Sequence, residues 1–278
     1  MSNMPTNLGR TIDPRLPSNL IILIIAAAAT VLVGIARLSN GMPIAEVALH
    51  AVGTGVFTVL AWAVGREIDP DNNLSAQVAA VLFALVTLYW DLPNLLAVGA
   101  VIACVRILTR STGLPPKLLD SVILVGLAGL VTVVSDHWII GLTIGGTFLL
   151  DALLTDPDRP KDMIFAALAT GITIGIALLI NPTPRNPYIE TPLNAVVILT
   201  ALIYSGIVLR AMPAVQSTAD YTGEQLNNRR VLAGRLLVLI VTLALVMWDG
   251  MTGLVALAPV WMAMAGLVVR NMVPLLRN

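Results

Sequence analysis

The sequence predicts an all-α, polytopic integral membrane protein, and three observations lead to that fold class. Of the 278 residues, 57% are hydrophobic and 12% are charged, whereas an ordinary soluble domain is roughly 25% charged. Uncharged runs of about 20 residues recur along the chain, which is the length needed to cross a hydrocarbon core of about 30 Å. Those runs lack the polar alternation of barrel strands. Because backbone groups in lipid must be satisfied internally, the runs are predicted to be helices.

About ten transmembrane helices are predicted within a single transmembrane domain, 19–270. A short cytoplasmic segment, 1–18, precedes this domain, a larger cytoplasmic loop covers 211–229, and a cytoplasmic tail covers 271–278. The first apolar run is longer than the hydrophobic region of a signal peptide, so it is interpreted as a retained helix. The predicted spans are 19–38, 43–64, 74–90, 92–109, 118–135, 138–154, 162–180, 190–210, 230–248 and 251–270.

The basic residues predict how these spans are threaded. With ten spans, 14 of the 16 lysines and arginines fall on one side, and the exceptions are Arg37 and Arg185. Lysine and arginine concentrate in cytoplasmic loops. Both termini are therefore predicted to be cytoplasmic, and the expected location is a prokaryotic cytoplasmic (inner) membrane.

The predicted outer turns resemble one another and suggest five helical hairpins. Asp91, Asp136 and Asn181 follow one another at intervals of 45 residues, and Asp249 comes 68 residues later. Self-similarity at a fixed period is typical of a duplicated supersecondary unit. Bilayer thickness alone would also impose a period near this length, so the alternative without duplication stays open.

Two helices carry glycines at a spacing that suits close helix contact. Gly141 and Gly145 form one such face, and Gly171 and Gly175 form another, each with a central threonine. Small residues four positions apart let helix backbones approach closely in membranes. We expect both pairs to lie at helix–helix interfaces.

Glu46 and His50 are candidates for binding a proton or a solute. Their spacing of four places them on one face of the second predicted helix. A histidine beside a carboxylate can titrate near neutral pH. The alternative is a helix N-terminal glutamate beside a histidine that bonds a neighbouring helix.

Two acidic loops on the predicted inner side are candidate cation sites. Several carboxylates converging on Mg²⁺ would suit diphosphate chemistry. The Asp-Pro-Asp sequence in each loop disfavours a helical ladder of ligands, and it favours turns that cap the following helices. The acidic residues are Glu67, Asp69 and Asp71 on one loop, with Asp151, Asp156, Asp158 and Asp162 on the other.

The favoured function is a multi-pass transporter or permease for a small or amphipathic solute. Pro259, inside the last predicted span, could open backbone groups toward a solute. A membrane subunit or scaffold of a larger complex is the first alternative, and a Mg-dependent lipid-phosphate or prenyl-diphosphate enzyme is the second. The expected partners are membrane lipid and either other proteins or further copies of the chain.

Composition and motifs argue against several other functions. The net charge is zero, so nucleic-acid binding is not expected. Motifs for nucleotide, zinc or serine-hydrolase chemistry are absent from the sequence. We expect a non-enzymatic role and no cofactor, with Mg²⁺ needed only under the enzyme alternative.

Overall fold

A computed structural model describes residues 6–10, 12–155, 160–184, 191–210 and 214–272. Helices make up 77% of it, and its described part contains no strand. A single antiparallel bridge joins Thr218 to Gln225 in the connection before α9. The helices are α1 Pro17–Ser39, α2 Ile44–Ile68, α3 Asn73–Val86, α4 Leu95–Thr109, α5 Leu118–Ser135, α6 Trp138–Leu154, α7 Pro160–Ile180, α8 Thr191–Leu209, α9 Asn228–Asp249, α10 Met251–Ala256 and α11 Ala258–Met272.

Six helices in the described part are long and apolar enough to cross a membrane, namely α1, α2, α5, α7, α8 and α9. The helices α3, α4 and α6 are apolar but shorter. The chain is therefore an integral membrane protein by the length and composition of its helices. Ten complete spans stay a prediction.

Two of the predicted spans differ from the structure for local reasons. The side chain of Asn94 accepts a hydrogen bond from the Ala97 amide and caps α4, so α4 begins after Pro93 and is shorter than predicted. The last predicted span is broken at Leu257 into α10 and α11. Pro259 lies in the first turn of α11, where a missing amide donor is tolerated.

Helix α4 lies in the interior of the bundle. It contacts α2, α5, α6 and α9, and its interior consists of small and branched apolar side chains without solvent exposure, such as Val98, Val101 and Val105. We name the two ends of the bundle after this helix. The Asn94 end is where α4 begins, and the Thr109 end is where it finishes.

The helices do not all pack with the partner that the five-hairpin prediction assigns them. Helix α1 packs along α2, and α5 packs along α6, as two of those hairpins require. Helix α3 instead packs mainly against α2 and α11, while α7 packs against α6 and α5, and α8 against α11 and α9. Burial of each apolar face, rather than chain order, decides these neighbours. The arrangement as five hairpins and the cytoplasmic termini remain predictions.

Four of the predicted outer turns contain a residue with a positive φ angle. Asp136 and Asn181, which are 45 positions apart, both have positive φ angles, of 56° and 47°. Gly41 and Gly250 have positive φ angles in the first and last of these turns. A left-handed residue is a common way to end a helix. The likeness in sequence extends to a positive φ at Asp136 and Asn181 but not at Asp91, and duplication stays a hypothesis.

The glycines of α6 and α7 have different surroundings. A Cβ atom on Gly141 or Gly145 would collide with the hydroxyls of Thr173 and Thr170 of α7. Gly171 and Gly175 point toward open space, with nothing within 4 Å of such an atom. The α6–α7 contact therefore uses the glycines of α6 and the threonines of α7. The expected contact at Gly171 and Gly175 is not formed within the described chain.

Candidate functional site

A buried carboxylate, Glu67, organises the Thr109 end of the bundle. Its side chain is fully buried, and Arg106 and Arg10 each approach one carboxylate oxygen at 3.1 Å. The Thr109 hydroxyl donates to the other oxygen at 3.1 Å. A buried charge is tolerated only when it is paired and hydrogen-bonded. Glu67 therefore ties the end of α2 to the end of α4.

Arg10 extends this network to the connection before α9. Its guanidinium also contacts Asp220 at 2.6 Å. Burial alone would lower the pKa of Arg10, but the charges of Glu67 and Asp220 outweigh burial and raise that pKa above its ordinary value. The N-terminal segment is thereby held across the Thr109 end in its charged form.

A second buried carboxylate, Asp151, lies at the same end of the bundle. Arg230 donates to it at 2.6 Å and Arg110 at 3.2 Å. Both arginines also donate to the Thr155 hydroxyl, at 2.7 and 2.8 Å. Since Arg110 directly follows α4, the Glu67 and Asp151 networks stand on either side of the same helix end. They join α2, α4, α6 and α9.

A polar cavity of about 320 Å³ opens beside the Glu67 network. Arginine and hydroxyl side chains predominate in its wall. It is lined by Arg10, Arg66, Glu67, Pro70, Ser111, Gln216, Ser217, Thr218, Asp220 and Leu226.

The acidic residues predicted as cation ligands have other partners here. Asp71 accepts hydrogen bonds from the backbone amides of Gln216 and Ser217, so it anchors the connection before α9 instead of capping α3. Burial by itself would raise the pKa of the Asp71 carboxyl, but the Ser217 side chain and these amides lower it below its usual range. Asp69 accepts from the Asn72 side chain inside its own turn.

Glu67, from the first acidic loop, and Asp151, at the start of the second, lie at the same end of the bundle. The carboxylates of Glu67 and Asp151, however, are each bonded to two arginines. Within the described ranges, no group of three or more histidine, cysteine or acidic residues could hold a metal ion. Asp156 and Asp158 lie outside the described residues. Asp162 is buried in the first turn of α7.

A second cavity, of about 530 Å³ and with a mixed polar and apolar lining, lies at the Asn94 end. It is walled by the connection before α4, by the α5–α6 turn and by α10. Its lining residues are Asp91, Leu92, Pro93, Asn94, Ser135, His137, Met251, Thr252, Val255 and Ala256.

A buried histidine–aspartate pair lies beside this cavity, and the histidine, His137, lines it. His137 Nδ1 lies 3.0 Å from an Asp249 carboxylate oxygen, and both side chains are 4% exposed. Tight turns position them: His137 caps the start of α6 and Asp249 ends α9. The neighbouring Trp138 and Trp248 rings meet edge to face at 5.1 Å, which holds the two turns together.

The structure places Glu46 and His50 differently from the expected acid–histidine pair. His50 Nδ1 lies 3.0 Å from the backbone carbonyl of Glu46. The glutamate side chain is exposed. His50 Nε2 lies 3.8 Å from the exposed carboxylate of Asp91, which lines the Asn94-end cavity. His50 therefore lies at the margin of that cavity, whereas Glu46 is not part of its lining.

Sequence reasoning missed the His137–Asp249 pair and the role of Arg10. The turns that contain Asp136 and Asp249 resemble each other in sequence, but the side chains that meet, His137 and Asp249, are 112 positions apart. Arg10 precedes the first span and meets residues 57 and 210 positions away. The sequence offered one indication of these contacts, the many arginines near the ends of the predicted spans. Their positions indicate polar contacts but do not identify the residues with which the arginines pair.

Comparison of the chain with protein-family models, curated proteins and solved structures found no match. Its function is therefore argued from these two cavities.

Proposed function

We propose that this protein is a membrane transporter or permease for a small polar or amphipathic solute. One observation carries the proposal: a polar cavity lies at one end of α4, a cavity of mixed polar and apolar lining lies at the other end, and a closed apolar core separates them. In alternating access, one solute site inside a helical bundle opens first to one side of the membrane and then to the other, and the two cavities would be the entrances to such a site.

The separation between the cavities fits this role. With 15 residues, α4 is about 22 Å long at 1.5 Å per residue. Asn94 at its start lines one cavity, and Ser111, just past its end, lines the other. The α4 side chains between them, including Val98, Val101 and Val105, are fully buried. A solute could pass only if helices around α4 moved apart.

The break between α10 and α11 supplies an element that could move. It lies at Leu257, beside the Asn94-end cavity. The Ala256 carbonyl, freed by the break, accepts a hydrogen bond from the Asn94 amide at 3.3 Å. Broken helices allow part of a bundle to reorient while their free backbone groups contact a solute. The break lies at this end and not at the midpoint of the helix.

The His137–Asp249 pair is the best candidate for coupling transport to protons. Buried ionisable groups in membrane proteins are costly and mark ion pathways. Histidine changes charge within the physiological pH range, and this histidine lines the cavity. We therefore assign the coupling role to this pair in place of Glu46 and His50.

Reconstitution into liposomes tests the proposal. A pH-sensitive dye trapped inside would report proton movement while amino acids, amines, sugars and organic acids are added outside. We expect one of these solute classes to drive proton movement with the wild-type protein, and the Asp249→Asn and His137→Asn variants to lose it. Glu46→Gln, an exposed substitution outside the cavity lining, is the matched control.

The same experiment separates the alternatives. If none of the solute classes produces movement of solute or protons, and native mass spectrometry finds other polypeptides bound in fixed stoichiometry, the scaffold hypothesis replaces the transport hypothesis. If Glu46→Gln abolishes coupling and the Asp249 variant retains it, the assignment of the pair is wrong.

A further inference from the structure

A short segment before α1 crosses the Thr109 end of the bundle. We call this segment, residues 6–10, the N-terminal strap. Asn7 in the strap is 6% exposed. Its backbone amide donates to the Asp120 carboxylate at 3.0 Å, and its side chain donates to the Pro115 carbonyl at 2.7 Å. One end of the strap is therefore attached at the start of α5.

The other end of the strap reaches the polar cavity of about 320 Å³ at this end, the Thr109-end cavity. Arg10 lines that cavity and joins two of its walls, because it bonds Glu67 of α2 at 3.1 Å and Asp220 of the connection before α9 at 2.6 Å. Between the two ends of the strap, the Leu8 carbonyl accepts a hydrogen bond from Arg106 of α4 at 2.9 Å. The strap therefore links α2, α4, α5 and the connection before α9.

These links oppose the movement that transport requires. A solute can pass only if helices around α4 move apart, and α2 and α5 are two of the helices that contact α4. Because the strap is bonded both to α2 and to the start of α5, any separation of these helices at the Thr109 end breaks bonds of the strap. Opening of this end therefore requires the strap to detach.

Detachment leaves the buried partners of the strap with other bonds. Glu67 keeps Arg106 at 3.1 Å and the Thr109 hydroxyl at 3.1 Å. Asp120 keeps the backbone amide of Lys117 at 2.8 Å. The large cost of breaking a buried ion pair comes from leaving a buried charge uncompensated. The strap can detach without that cost, since neither carboxylate loses all of its partners.

The remaining bonds of the strap lie close to water. The side chains of Arg10 and Asp220 are 22% and 38% exposed, so both charges can be hydrated once they separate. Ion pairs that are open to solvent contribute little net stability. The Tyr221 hydroxyl donates to the carbonyl of the exposed Gly9 at 3.4 Å, and water can replace this bond too.

We infer that the N-terminal strap is a detachable latch, which closes the Thr109-end cavity and is released when that end of the protein opens. The role of the latch in a transport cycle rests on the proposed function. Detachment of the strap and access to the cavity, however, are measured without a solute.

Access to the cavity is measured with the reporter substitution Ser111→Cys, at a lining residue that is 5% exposed. Cys104→Ala in the same chain leaves a single thiol. Adding Asn7→Ala and Arg10→Gln should raise the rate of reaction with a water-soluble maleimide at least about tenfold, because one hydrogen bond and two ion pairs of the closed strap are lost. Arg15→Gln, at an exposed arginine outside the strap, is the matched control and should leave the rate unchanged.

Hydrogen exchange of the wild-type protein tests detachment without any variant. Amides of the strap should exchange at least about a hundredfold faster than those of α4, because local opening requires less free energy than global unfolding. Exchange of both segments at one rate would show that the strap opens only with the whole fold, and it would overturn the inference. Equal maleimide rates with and without the strap substitutions would also overturn it, and so would loss of folding in that variant, since a detachable latch is not needed to fold.

A cross-link connects the latch to the transport cycle. In the Cys104→Ala protein, Arg10→Cys and Asp220→Cys joined by a cleavable bismaleimide fix the strap to the cavity wall. We expect solute-driven proton movement in liposomes to stop in the cross-linked protein and to return when the linker is cleaved. Continued transport by the cross-linked protein would refute the latch. If the wild-type protein moves neither solute nor protons, the proposed function fails, whereas the maleimide and exchange rates still decide whether the strap detaches.

Discussion

Replacing Asp151 by asparagine should destabilise the protein strongly. The substitution keeps the shape of the side chain but removes the charge that Arg230 and Arg110 share. Breaking a buried ion pair by removing one partner costs about 3–5 kcal/mol. Counted separately, two hydrogen bonds to a charged group contribute about 1.5–3 kcal/mol each. Because the Arg110 side chain is 19% exposed, water compensates part of the loss, and we expect about 3 kcal/mol.

The protein carries its own reporter for this measurement. Cys104 is the single cysteine of the chain and is buried in α4. A fluorogenic thiol reagent should therefore react only as the bundle opens on heating. For a chain of this size, 1 kcal/mol corresponds to roughly 2–4 °C in Tm, so the Asp151→Asn protein should melt about 6 °C or more below the wild type.

Two further variants make this measurement decisive. Glu224→Gln, which changes an exposed acid near the same end, should leave Tm unchanged. Adding Arg230→Gln to Asp151→Asn removes one of the two stranded charges, so the double variant should lose less stability than the two single losses added together. A Tm for Asp151→Asn within about 2 °C of the wild type would refute the buried, charge-balanced network.

Two further predictions concern packing and pH. Gly145→Ala should destabilise the protein by about 1–3 kcal/mol, because its new methyl group would collide with Thr170 and the Ala166 carbonyl. The control, Gly175→Ala on the open face of α7, should be neutral or stabilising by up to about 1 kcal/mol. Equal shifts in Tm for the two variants would contradict the α6–α7 contact. The pKa of Asp71 is lower in the folded protein than in the unfolded chain. Its contribution to the free energy of unfolding is therefore fully present above the unfolded pKa of about 3.9, and it disappears as the pH falls through the folded pKa. Denaturant unfolding at a series of pH values should show the wild type more stable than Asp71→Asn near neutrality, with the difference shrinking in acid; a constant difference would argue against this account.

Glu67 and Asp71 illustrate how far local sequence reasoning reached. The Asp-Pro-Asp pattern at Asp69 and Asp71 indicated a polar turn, and such a turn lies between α2 and α3. The choice between a cation site and a capping turn depended on which side chains approach from elsewhere. Arg10, Arg106 and the amides of Gln216 and Ser217 come from distant parts of the chain, so neither local alternative described these two carboxylates fully.

The glycine pairs illustrate the same point for packing. Both GxxxG patterns fit close contact equally well by sequence, since the spacing alone places the glycines on one helix face. Which face meets a neighbour is decided by how the whole bundle buries its apolar surface. In the structure Gly141 and Gly145 face the threonines of α7, while a Cβ atom on Gly171 or Gly175 would have no described atom within 4 Å.

By itself, the sequence determined the class of this protein: a helical integral membrane protein whose charged residues lie near helix ends. Hydrophobicity and helical backbone bonding depend on composition and on neighbours along the chain, so they can be read locally. Only the tertiary structure decided that α4 is central, that cavities lie at its two ends, and that His137 meets Asp249. Those features depend on contacts between residues up to 210 positions apart, which packing selects and no local pattern encodes.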